Sequence, residues 1–179
     1  MANFLLALLA VLVAGLGARD QVQVAWAAAQ RSPRAGVVAI ALTTAVFSAA
    51  LAGWAGSVAA PQLVPRARTI LVAMALGLAA TEMLVLRPRR APQEPTASLG
   101  ALAIVLLAEQ VTDAARLLIF ALAASSAVPQ FAALGGMIGA GGTILIGWLC
   151  GAQLLALPLT WIRRALALLL AGIALYLVA

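Results

Sequence analysis

Six stretches of this chain are each apolar over about the depth of a bilayer, and together they leave no residues for a soluble core. A membrane-spanning helix needs about 20 largely apolar residues. The stretches run near 3–28, 36–59, 69–86, 98–126, 131–155 and 161–178. Only 9% of the residues are charged, where a soluble domain carries about 25%. The chain therefore reads as an all-α integral membrane protein with the lipid bilayer as its solvent. A bacterial inner (plasma) membrane is the expected location. The first stretch has no basic n-region, so it reads as a retained helix and not as a cleaved signal peptide.

The connectors are short and carry the turn residues. Ser32-Pro33-Arg34 follows the first stretch, Pro61 and Pro65 bracket the next turn, and Pro129 and Pro158 mark later ones. The longest connector, Arg87 to Pro95, divides the chain into a first repeat (1–88), an inter-repeat loop (89–97) and a second repeat (98–179). Arg31, Arg34, Arg87, Arg89, Arg90, Arg163 and Arg164 fall in connectors on one side, and only Arg66 and Arg68 on the other. Basic loops stay in the cytoplasm, so both termini are expected on the non-cytoplasmic side.

The two halves are alike. Shifted by 94 positions, Ala14 meets Ala108, Trp26 meets Phe120, Gly53-Trp54 meets Gly147-Trp148, and Arg19 meets Asp113. A one-residue slip then sets Arg68 on Arg163 and Gly77 on Gly172. With an odd number of helices per half, the halves must insert in opposite senses. The expected fold is six transmembrane helices as two inverted three-helix repeats, a design that places substrate sites near the midplane.

Charges inside these stretches mark the candidate site. Glu109, Asp113 and Arg116 are spaced four and then three apart, which on a continuous helix is one face. Each charge at a bilayer centre costs roughly 2.5–3.5 kcal/mol or more, so the three must face the protein interior. Arg19 and Asp20 interrupt the first stretch in the same way. Glu109 and Asp113, with Thr112 beside them and Asp20 from the other half, offer the hard oxygen donors that suit Mg²⁺, Mn²⁺ or Ca²⁺. A carboxylate that takes either a proton or a metal is the minimal device for exchanging one for the other. Alternatively, Arg19 and Arg116 neutralise the acids in a structural charge network. Glu82 lies near the end of its stretch and reads as an interfacial charge. Asn3 and Glu94 carry no expected role. Gly135, Gly139, Gly147 and Gly151 are spaced for close helix approach. No His and a single Cys, Cys150, exclude zinc-type sites. The scattered arginines give no nucleic-acid face, and no nucleophile–base pair or cofactor motif suggests an enzyme.

Two three-helix repeats, each opening on a long helix with an acidic motif, resemble the Gdt / transmembrane-protein-165 family. That family's repeat motif is Glu-x-Gly-Asp-(Lys/Arg)-(Thr/Ser), often followed by Gln. The first counterpart here is Gly15-Leu16-Gly17-Ala18-Arg19-Asp20-Gln21, in which Gly17, Arg19 and Gln21 match. The second is Glu109-Gln110-Val111-Thr112-Asp113-Ala114, in which Glu109 matches. Gly15, Ala18 and Thr112 stand where the family has acids, and Asp20 and Asp113 supply acids at displaced positions. The resemblance implies a secondary transporter exchanging Mn²⁺ or Ca²⁺ for protons, with no permanently bound cofactor. Glu109 is then the expected ligand and proton carrier, Asp113, Thr112 and Asp20 accessory ligands, and Arg19 and Arg116 charge-tuning residues. An exporter of a small organic solute and a non-transporting protein with an Arg–carboxylate core remain alternatives. A homo-oligomer is compatible with the sequence.

Overall fold

The computed structural model describes residues 1–29, 35–86 and 98–179. The connector around Arg31 and Arg34 and the inter-repeat loop with Glu94 lie outside them. Every regular element among the described residues is helical: α1 (Ala2–Gly15), α2 (Arg19–Ala28), α3 (Ala35–Ala59), α4 (Pro65–Val85), α5 (Leu99–Val111), α6 (Ala114–Ser125), α7 (Pro129–Ala156) and α8 (Leu159–Val178). A 3-10 turn, Ala60–Gln62, joins α3 to α4.

The boundaries follow from local chemistry. Pro65 and Pro129 occupy the first turns of α4 and α7, where a missing N–H costs nothing and φ is already helical. Ser98 caps α5 by accepting from the Ala101 N–H at 3.1 Å. Four helices, α3, α4, α7 and α8, are long and apolar enough to cross a membrane, and α1 with α2 makes a fifth if that bent pair is one span.

Two of the expected continuous helices are broken, and a third, α7, is kinked at Gly151, whose φ of +43° and ψ of −117° are not helical. The first stretch turns by 68° between α1 and α2. Gly17 sits in that turn with φ +68°, a left-handed conformation that costs other L-residues about 1–2 kcal/mol. The fourth stretch divides at Thr112-Asp113 into α5 and α6. Glu109, Asp113 and Arg116 therefore do not form one face of one helix. Glu109 belongs to α5, Asp113 precedes α6 as its N-cap, and Arg116 lies on α6.

Several polar side chains are buried within an aliphatic core, while many large apolar ones face outward. Asp20, Gln21, Gln110, Arg116 and Arg163 are buried, while Leu149, Leu175, Ile104, Leu9 and Phe47 are exposed. Such a broad apolar exterior on a helical bundle is what a bilayer accommodates and water does not.

Packing depends on close backbone approach at Gly135, Gly139 and Gly147, as their spacing predicts, but not at Gly151, where a Cβ would have ordinary contacts of 3.7 Å and the glycine instead supplies a positive φ at a kink. A Cβ at Gly135 would overlap the Phe4 carbonyl oxygen, one at Gly139 would sit 3.0 Å from the Leu8 carbonyl oxygen, and one at Gly147 would sit 2.8 Å from the Gln21 carbonyl oxygen. That series runs in the same order on both chains, so α1 and α2 run parallel to α7. On the other side, Gly36 meets Leu99, Ser48 meets Arg116, and Gly56 meets the Phe120 carbonyl, so α3 runs parallel to α5 and α6. α3 and α7 are antiparallel, since Gly53 meets Ala133 while Gly141 meets Val46. The two broken helices thus run in opposite directions, and the Asn3 side-chain amide donates to the Ser126 hydroxyl at 2.6 Å where the start of α1 meets the end of α6. α4 packs along α8 and also against α6.

Candidate functional site

The two helix breaks face each other, and the charged residues collect where they meet. The first break is strapped by Gln21. Its side-chain oxygen accepts from the Gly17 N–H at 2.6 Å, reaching back from the third position of α2 in the manner of a capping box. Its amide nitrogen donates to the Thr143 carbonyl on α7 at 3.0 Å. Gly17 and Gln21, the motif-matching pair, therefore form and fasten the turn. That turn places Asp20 in the first turn of α2, where the helix dipole favours an acid.

At the second break, the Asp113 carboxylate accepts from the Ala115 N–H at 3.2 Å and caps α6. Glu82, carried by α4, accepts from the Ala114 N–H at 2.8 Å. Glu82 is thus not an interfacial charge. It reaches inward to the N-terminal end of α6, satisfying one of the amides a helix start leaves open. The Thr112 hydroxyl donates back to the Ala108 and Glu109 carbonyls, at 2.9 and 3.1 Å, so its proton serves the end of α5.

Arg116 joins the two breaks. Its guanidinium donates to Asp113 at 3.2 Å and to the Ser48 hydroxyl of α3 at 3.1 Å, and lies 3.9 Å from Asp20. Two glutamines add cross-links between the halves: Gln110 donates to Asp20 at 3.3 Å, and Gln23 donates to Glu109 at 3.2 Å. Charged hydrogen bonds of this kind are worth more in a dry interior than in water.

Ala18, Arg19, Asp20, Glu82, Glu109, Thr112 and Asp113 line one cavity of about 170 Å³, closed on one side by Leu86. At about 30 Å³ per water, that is room for five or six waters. A wider, mostly apolar recess of about 600 Å³ adjoins it and shares Glu82, Thr112 and Asp113. All four residues named from the sequence as ligands reach the cavity wall, although the helix between Glu109 and Asp113 is broken. Arg19 lines it as well. Arg116 lies behind it, on the recess side. Among the described residues, no group of three or more His, Cys, Asp or Glu side chains is drawn together at metal-binding spacing.

Two residues of the site escaped the sequence reading. Glu82 was legible only as a charge near a helix end. Arg163 was assigned to a connector, whereas it lies on α8, 3% exposed, and donates to the Leu16 carbonyl at 2.9 Å. It leaves the tally of loop arginines for the interior. The repeated Arg163-Arg164 pair gives no hint of this, since Arg164 points outward and stacks on Trp161 at 5.2 Å.

No protein-family description, curated protein or solved structure matches the chain. The four or five apolar spans around a buried polar centre make it an integral membrane protein of all-helical class.

Proposed function

We propose that the chain is a secondary transporter that exchanges a divalent cation, Mn²⁺ or Ca²⁺, for protons. The observation that carries this reading is the convergence of Asp20, Glu82, Glu109 and Asp113 on one water-sized cavity where two broken helices meet. Broken helices are how transporters bring backbone ends and charges to the middle of a membrane. Carboxylates are the donors a hard cation takes in place of its hydration shell. A cavity of about 170 Å³ suits a partly hydrated ion better than an organic solute. Glu109 acts as the principal ligand and proton carrier. Asp20, Asp113 and Thr112 contribute further oxygens, and Arg19 sets the charge against which the cation binds.

The opposite directions of the two broken helices support six spans arranged as an inverted three-plus-three repeat. In this arrangement α1 with α2 and α5 with α6 are each one interrupted span. α1 and α2 lie on α7, the middle helix of the other half, as α5 and α6 lie on α3. The Gdt / transmembrane-protein-165 resemblance is part of the same proposal.

The test is flux of Mn²⁺ or Ca²⁺ into proteoliposomes under an imposed pH gradient. Uptake should follow the gradient in the wild type and be lost in Glu109→Gln. Equal flux in empty liposomes and in liposomes holding the folded protein rules the exchanger out.

A second reading has a specific observation in its favour. Arg116 holds Asp113 and lies close to Asp20, which is also how a permanently neutralised, non-transporting core is built. Under that reading Glu109→Gln changes nothing but stability.

A further inference from the structure

We infer that Arg163 and Glu82 are paired positioning residues, through which the third helix of each half holds the helix break of the other half in shape. Arg163 stands on α8 and donates to the Leu16 carbonyl at the end of α1. Glu82 stands on α4 and accepts from the Ala114 N–H at the start of α6. The signs suit the ends they meet: a cation on the carbonyl end of one helix, and a carboxylate on the amide end of another. The two supporting helices pack along each other, so α4 and α8 form a single strut that touches both breaks.

The Arg163 contact is built for one place. The guanidinium is almost wholly buried, and its Nε has no hydrogen-bond partner. Burying an arginine is costly; here the nearby Glu82, Asp113 and Asp20 carboxylates offset part of that cost, and the hydrogen bond it makes secures the turn at Leu16-Gly17. The fit there is tight, because a Cβ on Gly17 would stand 3.1 Å from Arg163 Cδ. Immediately after this turn come Ala18, Arg19 and Asp20, all on the cavity wall. Arg163 itself does not line the cavity; it holds the turn through its hydrogen bond to Leu16, and its charge also acts on Glu82, Asp113, Arg19 and Asp20. For its consequence in transport the proposal rests on the exchanger reading. The geometry of the break can be tested without it.

The test uses a thiol reporter. Cys150, the only native cysteine, is replaced by serine, and Ala18→Cys places a thiol on the cavity wall. A second reporter, Ala132→Cys, is buried near the start of α7, in a separate cluster with Ala7, Leu122 and Ala123. Labelling by a small water-soluble methanethiosulfonate should be slow at both sites in this background. Adding Arg163→Gln should speed labelling at Ala18→Cys and leave Ala132→Cys protected. Arg163→Lys, which keeps a cationic donor for the Leu16 carbonyl, should restore slow labelling. Arg163→Met keeps the apolar stem, removes the donor and replaces the glutamine variant if that variant does not fold. Unchanged labelling at Ala18→Cys overturns the inference, and so does faster labelling at both reporters, which would mean general loosening. Where wild-type flux is present, Arg163→Gln should also raise the half-saturating Mn²⁺ concentration, and Arg163→Lys should return it to the wild-type value. Absent wild-type flux would count against the exchanger, while local exposure at Ala18→Cys would still uphold the strut.

Discussion

Arg116 donates to Ser48 and Asp113 and lies within ion-pair reach of Asp20, so one guanidinium serves three helices. Removing it strands two buried carboxylates. Breaking such a network by deleting one partner costs about 3–5 kcal/mol, whereas replacing all of its charges together can be nearly neutral. Arg116→Met should therefore lower the melting temperature in detergent sharply, and adding Asp20→Asn with Asp113→Asn should recover much of the loss. A triple variant no more stable than the single one would contradict the network. Gly17 makes a second residue-scale prediction. Its φ of +68° and the nearby Arg163 stem make Gly17→Ala destabilising by about 1–2 kcal/mol, read as a lower thermal midpoint of the purified protein.

At the scale of elements, packing is set by which glycines lie under a neighbouring backbone. Gly135 has the Phe4 carbonyl where a Cβ would go, whereas nothing lies within 4 Å of a Cβ at Gly77. Gly135→Ala should destabilise by about 1–3 kcal/mol through overpacking. Gly77→Ala should be neutral, or stabilising by about 0.4–1 kcal/mol, because alanine restricts the unfolded chain. Thermal denaturation of the two variants side by side checks both. The long apolar helices and their glycine faces were legible in the sequence because length and small-residue spacing are local properties. The breaks were not. Around Glu109 to Arg116 the helical spacing continues without Gly or Pro, and the interruption depends on Asp113 capping α6 and on Glu82 arriving from α4. The Glu82 contact is tertiary and no local pattern announces it, whereas the Asp113 cap is local, an N-cap residue two positions from the amide it serves. The first break left a local trace, Gly17 followed four residues later by Gln21, which was read as a motif match and not as a turn.

At the scale of the molecule, two broken helices running in opposite directions meet around a polar centre. Arg19, Asp20, Glu109 and Asp113, together with Glu82, reach one cavity where the opposed breaks meet, something no single segment encodes. Asn3 and Leu177 line the same groove, so both ends of the described chain lie on one side. The orientation expected from the loop arginines, which we propose, would put that side outside the cytoplasm. Alkaline phosphatase fused after Ala179 should accordingly be active, and a green fluorescent protein fused there should be dark. The reverse pattern would overturn the proposed orientation. The most direct test of the proposed exchange is proton release on cation binding. Mn²⁺ is added to the purified protein in weakly buffered detergent solution, and the protons liberated are counted for wild type, Glu109→Gln and Glu82→Gln. Saturable release from the wild type that falls in both variants is the result predicted. Binding without proton release, or release that is unchanged in both variants, would contradict it.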